Sequence, residues 1–125
     1  MGYPRIAGAF RVFRAAPGIG KGGGVIITIF RSRLDPAQAE AYAALSKTMK
    51  ALVDNMPGLI SYKTYEARDG ERVTIVEFAD EESHNAWRDL PAHRKAMQLG
   101  KDKFYEEYKV QVCELKRVSS FKRDE

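Results

Sequence analysis

The chain has 125 residues, of which 44% are hydrophobic and 30% are charged, so it can form one globular domain with a modest core. It has no apolar run long enough for a membrane span, and its only cysteine, Cys113, excludes an intrachain disulfide or a cysteine-based zinc cluster. The net charge of +4 arises near the N-terminus, because six basic and no acidic residues precede Asp35, whereas 15 basic and 17 acidic residues lie from Asp35 onward. We therefore expect a cytoplasmic protein with no membrane or nucleic-acid partner.

Residues 1–24 are expected to form an extension, because they combine two prolines with a cluster of five glycines near the end of the segment. Within it, residues 6–13 fit either a short strand or a helical turn. The apolar run over residues 25–30 is rich in β-branched side chains and predicts the first strand. Asp35 and Pro36 then predict the start of a helix, since Asp caps helix N-termini and Pro suits the first helical position.

A stripe of apolar side chains at helical spacing predicts that this helix extends toward Pro57 and Gly58 and packs on a sheet. The stripe consists of Tyr42, Leu45, Met49, Leu52 and Met56. The second and third strands are predicted over residues 59–67 and 72–79. Asp69-Gly70 lies between them and is a strong signal for a hairpin turn.

Two short helices are predicted next. Asp80 caps the first, which extends to about Leu90, and Pro91 begins a second helix that runs toward Gly100. A last strand is predicted over about residues 108–118. The folded domain would then span residues 25–118 and be followed by a charged tail at 119–125.

The predicted order β-α-β-β-α-β is that of a ferredoxin-like α+β domain, in which helices cover one face of an antiparallel sheet. The predicted strands are apolar on both faces, so the second face needs a cover. In the first strand, for example, Ile27 and Ile29 oppose Ile26 and Phe30. A second copy of the chain is the economical cover, which predicts a homodimer through the sheet face. The N-terminal extension folding back is the competing cover.

Three segments carry a family resemblance: MPGLIS at 56–61, EFADEE at 77–82 and AWRDLPAHRKA at 86–96, followed by Gly100-Lys101 ahead of Tyr105. Over about residues 25–118 the chain resembles the antibiotic biosynthesis monooxygenase (ABM) domain family, most specifically in the stretch from Trp87 to His93. The resemblance implies a dimeric α+β barrel with a pocket in each subunit between sheet and helices. Active members of that family oxidise activated aromatic or polyketide substrates with molecular oxygen and without metal or flavin, whereas others degrade haem.

Trp87 and His93 are the candidate catalytic residues, because the break at Pro91 lets both side chains point into one pocket. His93 would accept a proton from a phenol or enol, and Trp87 would supply a flat wall and an N–H donor. The candidate substrate-binding residues are Tyr62, Phe78, Met97 and Tyr105. For each residue a purely structural role is the alternative: Trp87 as core, His93 as a cap or surface group, and the remaining aromatic residues as ordinary packing.

Two further residues are expected to be structural. His84 lies in a polar, charged stretch and is expected to be solvated, and Cys113 on the last strand is expected to be a small buried hydrophobe. The resulting hypothesis is a monooxygenase that needs no cofactor and no metal and acts on a small electron-rich aromatic or quinol-like compound.

Two alternatives stay open. One is a dimeric ligand-binding or stress-related module without catalysis. The other is haem binding or degradation. For the latter, the iron-ligating histidine of the haem-degrading branch would fall near Met97, about three helical turns beyond Trp87, and His93 lies one turn too early.

Overall fold

The computed structural model describes residues 11–13 and 24–124, and these residues form strands and helices in alternation. The strands are β1 (Arg11–Phe13), β2 (Ile26–Leu34), β3 (Leu59–Glu66), β4 (Arg72–Phe78), β5 (Tyr105–Glu114) and β6 (Val118–Ser120). The helices are α1 (Ala39–Val53), α2 (Glu81–Arg88) and α3 (Pro91–Leu99), with a 3-10 turn at Pro36–Gln38 and a π-helical turn at Gly100–Phe104.

The main sheet has the strand order β3-β4-β2-β5, and every pairing in it is antiparallel. The elements of this sheet follow the chain order β-α-β-β-α-β, with the second helical segment divided into α2 and α3. The ferredoxin-like α+β fold predicted from the sequence is therefore confirmed.

Both predicted Asp caps are present. The Asp35 carboxylate accepts a hydrogen bond from the Ala37 backbone N–H at 3.0 Å, and Pro36 follows as the first residue of the turn that leads into α1. The Asp80 carboxylate accepts from the Ser83 backbone N–H at 2.8 Å at the start of α2. Each cap satisfies a backbone donor that the first turn of a helix leaves unpaired.

The core lies between the sheet and the helices. Val53 at the end of α1 and Phe78 at the end of β4 are completely buried, and they pack in one cluster with Val76 and Trp87. Complete burial of a side chain of this size contributes about 1.5–3 kcal/mol to folding. The cluster therefore fixes α1 and α2 against the same end of the sheet.

The opposite face of the sheet has no helix of the described chain on it. Ile27 and Ile29 of β2 lie there beside Val73 and Ile75 of β4, in the register Ile27↔Glu77, Ile29↔Ile75. The salt bridge between Arg31 and Glu71, at 3.0 Å, closes one end of this apolar patch. We call this surface the open face.

The C-terminal part differs from the sequence prediction. The last strand of the main sheet is Tyr105–Glu114, so it begins three residues earlier than predicted and ends before Val118. Val118–Ser120 instead forms β6, which pairs antiparallel with β1 in a separate two-stranded sheet. Of the predicted strand or turn at 6–13, residues 11–13 are a strand, and residues 6–10 lie outside the described residues.

Cys113 is exposed, so the expectation of a buried cysteine is wrong for this chain by itself. The cysteine lies on β5 opposite Ile27, on the open face, because it alternates with Val112 on the helix side. β5 is an edge strand, and an edge residue on an uncovered face has neighbours on one side only.

Gly58 is expected to be a stability determinant. It has φ = +83°, and a Cβ at this position would overlap the Ser83 side chain of α2. We expect Gly58→Ala to lower the free energy of unfolding by about 1 kcal/mol for the strained φ and by about 1–3 kcal/mol more for the overlap. Chemical denaturation measures the difference.

Gly70→Ala is the matched control. Gly70 has φ = +91°, but a Cβ there would meet no atom within 4 Å. Only the first contribution, about 1 kcal/mol, should then be lost. Equal losses for the two variants would contradict the close packing of the residue 57–58 turn on α2.

Candidate functional site

A cavity of about 380 Å³ lies between the helix side of the sheet and the three helices. Its floor is built by alternate residues of the central strands, because side chains two apart on a strand share a face. The floor residues on β2 are Ile26, Thr28 and Phe30, and those on β4 are Thr74, Val76 and Phe78. The cavity reaches β5 at Val110 and Val112, which are 45% and 56% exposed, so we take this side to be its mouth.

All six residues predicted from the sequence as site candidates line this one cavity. They are Tyr62, Phe78, Trp87, His93, Met97 and Tyr105. They come from β3, β4, α2, α3 and the start of β5. The fold therefore brings together side chains that are up to 43 positions apart, from Tyr62 to Tyr105.

Trp87 and His93 form a stacked pair. Their ring centroids are 4.4 Å apart and the ring planes differ by 27°. This contact depends on the junction between α2 and α3, where Asp89 ends one helix and Pro91 begins the next. A spacing of six residues would not place both rings on one face of a continuous helix.

Asp89 holds that junction in place with two arginines. Its carboxylate accepts from Arg88 Nε at 2.9 Å and from the Arg94 guanidinium at 3.1 Å. These hydrogen bonds lower the pKa of Asp89 to about 2, and the one from Arg88 has the larger effect. The carboxylate is therefore ionised at any pH near neutrality and links the two helices across the break.

His93 is in an environment that favours the neutral ring. Burial lowers its pKa below the ordinary value of 6.5, although carbonyl oxygens of Arg88 and Trp87 oppose the shift. The Nδ1 atom lies 3.4 Å from the Arg88 carbonyl oxygen. A carbonyl only accepts, so this contact favours the tautomer with the proton on Nδ1 and the free lone pair on Nε2.

His84 is buried, so the expectation of a solvated histidine is wrong. Its ring packs edge-on against Phe78 at 6.3 Å, and its Nδ1 lies 3.0 Å from the side-chain oxygen of Asn85. Both His84 and Asn85 line the cavity. The spacing of three between His84 and Trp87 was the available signal, because residues i and i+3 share a helix face.

Thr28 is a second site residue that the sequence did not indicate. Its hydroxyl oxygen is buried, lines the cavity and has no hydrogen-bond partner among the described residues. A buried hydroxyl without a partner costs free energy. A ligand in the cavity can remove that cost. The signal in the sequence was a threonine within the otherwise apolar run at residues 25–30.

Three tyrosines, Tyr42, Tyr62 and Tyr105, line the cavity, and we call them the tyrosine end. Tyr42 and Tyr105 lie near Phe30, away from His84, whereas Tyr62 pairs with Val76 nearer the middle of the floor. The Tyr105 hydroxyl donates to the Tyr42 hydroxyl at 3.5 Å, and the two rings are 5.7 Å apart. Burial raises the pKa of Tyr62 and of Tyr105, so both hydroxyls stay protonated near neutral pH. Tyr42 belongs to the apolar stripe of α1 that the sequence assigned to packing.

Comparison with known proteins supports the family suggested by the sequence. The sequence profile of the family described as "Antibiotic biosynthesis monooxygenase" matches residues 25–99. The chain belongs to this family. The matched segment contains β2, α1, β3, β4, α2 and α3, and so includes Trp87 and His93.

One relative of this ABM chain is "Jasmonate monooxygenase ABM" of Pyricularia oryzae, which is 29% identical over 86 residues. The alignment covers 67% of this chain but only 40% of that protein, so this chain spans less than half of that relative's length. An ABM structure from Caulobacter crescentus aligns with a TM-score of 0.67 at 14% identity, over 75% of this chain and 92% of that one. SnoaB, a cofactor-independent oxygenase from Streptomyces nogalater, aligns with a TM-score of 0.65 at 13% identity, over 77% of this chain and 97% of that one. At these identities the structural likeness shows a common fold.

Residues 11–13 and 24–124 of this ABM protein contain neither a candidate membrane span nor a candidate metal cluster. No helix among them is long and apolar enough to cross a membrane. Nor do they include a group of three or more His, Cys, Asp or Glu side chains arranged to hold a metal ion.

Trp87 is the only tryptophan of the chain, so its fluorescence should report the protonation of His93. Protonation places a cation on the face of the indole, and we expect the emission to change with a pH midpoint below 6.5. His93→Gln should abolish the transition, and His84→Gln should retain it. A midpoint at or above 6.5 would contradict the buried environment of His93.

Proposed function

We propose that this ABM-family protein is a cytoplasmic, cofactor-independent monooxygenase that oxidises a small electron-rich aromatic or quinol-like compound with molecular oxygen. The observation that carries the proposal is the His93 ring stacked on Trp87 at 4.4 Å in the cavity between the sheet and the helices. Family membership and the names of the fungal relative and of SnoaB agree with it.

His93 is the proposed general base. With Nδ1 directed to the Arg88 carbonyl, Nε2 can accept the proton of a phenol, hydroquinone or enol hydroxyl. Loss of that proton converts the neutral phenol or quinol into an electron-rich anion. The lowered pKa keeps His93 in the base form at neutral pH.

The anion supplies the electrons that reduce oxygen. Its electron-rich carbon forms a bond to O₂, and protonation of the resulting peroxide by the imidazolium restores neutral His93. Loss of water from a C–H hydroperoxide then leaves a carbonyl, so that CH₂ and O₂ become C=O and H₂O. One oxygen atom enters the product and the other leaves as water, and no separate reductant is consumed.

The remaining cavity residues position the substrate and keep water out. Trp87 is 6% exposed and offers the substrate ring a flat apolar surface. Phe78 and Met97 extend this surface on the sheet side and the helix side. The unpartnered Thr28 hydroxyl provides a donor on the floor for a substrate oxygen. Holding the substrate away from bulk water also protects the reactive anion and peroxide.

Oxygen consumption with reactive hydroquinones and anthrones tests this proposal. We expect His93→Gln to lower kcat by about 10²–10⁴-fold, the usual contribution of a general base. For the unmodified protein, kcat/KM should be constant above the pKa of His93 and fall as the pH decreases, with a midpoint below 6.5. Binding of the same compounds, measured by Trp87 fluorescence, should persist in His93→Gln.

Oxygen uptake that is equal with and without His93 would remove the proposed base. If no compound of this class gave oxygen uptake while Trp87 fluorescence still reported binding, the chain would be a non-catalytic ligand-binding module instead. A haemin titration with a Soret shift would favour the haem alternative.

We also propose that the protein is a homodimer through the open face. The apolar side chains Ile27, Ile29, Val73 and Ile75 form a contiguous patch there, and in a monomer this patch would be in water. A second sheet packed on it would bury the patch and complete a two-sheet barrel.

Light scattering at micromolar concentration should give about twice the chain mass of 14.1 kDa. Cys113 provides a second measurement, because it is exposed in the single chain and lies opposite Ile27 on the same face. In a dimer its reaction with a thiol reagent should slow as protein concentration rises. A mass of one chain, with thiol reactivity independent of concentration, would contradict the dimer.

A further inference from the structure

The tyrosine end carries polar groups that the proposed oxidation does not use. The Tyr105 hydroxyl donates to Tyr42, so the hydrogen of the Tyr42 hydroxyl is free to donate to something else. The half-buried Tyr62 also makes no hydrogen bond through its hydroxyl to another described residue. Tyr42 and Tyr62 both line the cavity, and the two phenols are close enough that Tyr42 helps to raise the pKa of Tyr62, after the larger effect of burial.

A positive charge lies over the Tyr42 ring, just outside the cavity lining. The Arg72 guanidinium is 5.5 Å from the centroid of the Tyr42 ring, and its Nε atom is buried without a partner. Its charge acts on both neighbouring phenols, since it works to lower the pKa of Tyr62 and of Tyr105 against the effect of burial. Glu66 contacts the outer nitrogen of Arg72 at 3.4 Å but is 62% exposed, so solvent screens its charge.

Tyr42 and Tyr105 lie at the opposite end of the cavity floor from the stacked pair, and Tyr62 lies between. Phe30 on β2 contacts the Tyr105 ring at 5.4 Å, whereas Ile26, four residues away on the same strand, pairs with Phe78 beside His84. Four residues of strand span about 13 Å. The floor is apolar apart from Thr28 and Thr74, and the Thr74 hydroxyl is already hydrogen-bonded to that of Thr64.

We propose that the tyrosine end is a carboxylate subsite, so that the ligand of this cavity is an elongated molecule with a ring at Trp87 and a carboxylate held by Tyr42 and Tyr62 near Arg72. Two phenolic donors and a guanidinium are a complementary set for an anionic oxygen acceptor. A molecule of this kind would be the substrate of the proposed oxidation. The subsite depends on that proposed function only because the bound ligand is taken to be the substrate.

Binding of 6-phenylhexanoate and of its neutral amide, 6-phenylhexanamide, tests the subsite. The two compounds have the same length and ring and differ in charge, and titration calorimetry or Trp87 fluorescence measures both. We expect the carboxylate to bind at least about tenfold more tightly, which is the usual difference for a charge-assisted hydrogen bond. No oxygen chemistry is involved, so the subsite and the proposed oxidation can fail separately.

Three variants locate the preference. Tyr42→Phe, Tyr62→Phe and Arg72→Gln should each reduce the ratio of carboxylate to amide affinity, because a charged acceptor loses more than a neutral one when a donor or a cation is removed. The circular-dichroism melting curve of each variant shows that it is folded. Tyr65→Phe is the matched control, because Tyr65 lies on the same strand as Tyr62 but is 48% exposed outside the cavity. It should leave the ratio unchanged.

Three results would overturn the subsite. Equal affinity for the two compounds would show that the tyrosine end does not select a carboxylate. A preference that survives all three variants would place the carboxylate elsewhere. Failure of both compounds to bind would show that the cavity does not accept an elongated ring-bearing acid.

Discussion

The packing of Trp87 on the end of the sheet is the contact on which the rest of the site depends. Trp87 joins Phe78, Val76 and Val53 in the buried cluster, so α2 is held where β4 ends and α1 finishes. The large aromatic side chain fills this end of the space between the helices and the sheet. The cavity is the space that remains over the central strands.

The same contact gives His93 its chemistry. The stack on Trp87 and the carbonyl of Arg88 orient the imidazole, and burial lowers its pKa. The Asp89 carboxylate, tied to an arginine on each side of the helix break, keeps the junction that makes the stack. A packing interaction, an ion-pair network and a proton acceptor are thus parts of one local structure. A change in any of these three parts should alter the orientation or the pKa of the imidazole.

The cavity is polar at both ends and mostly apolar between them, which gives it a direction. His84, Asn85 and the stacked pair lie where β2 begins, and Tyr42 and Tyr105 lie four residues further along the strand. Such an arrangement orients an amphiphilic molecule, because each end offers different hydrogen-bonding groups. The open face on the other side of the sheet has a different character, an apolar patch bordered by the Arg31–Glu71 ion pair. The two faces of one sheet therefore carry two different proposed roles, ligand binding on one and the subunit contact on the other.

The sequence by itself determined the element order, the two caps at Asp35 and Asp80, and the break at Pro91, because these are local features that a few neighbouring residues specify. It also indicated the pair Trp87 and His93 and four further candidates that line the cavity. It did not reveal that His84 is buried, that Thr28 lacks a partner or that Tyr42 joins the site rather than the core. It wrongly predicted a buried Cys113. Only the tertiary structure could decide these points, since they depend on which strand lies at the sheet edge and on how far the helices stand from the floor, and both are set by contacts between residues distant in the chain.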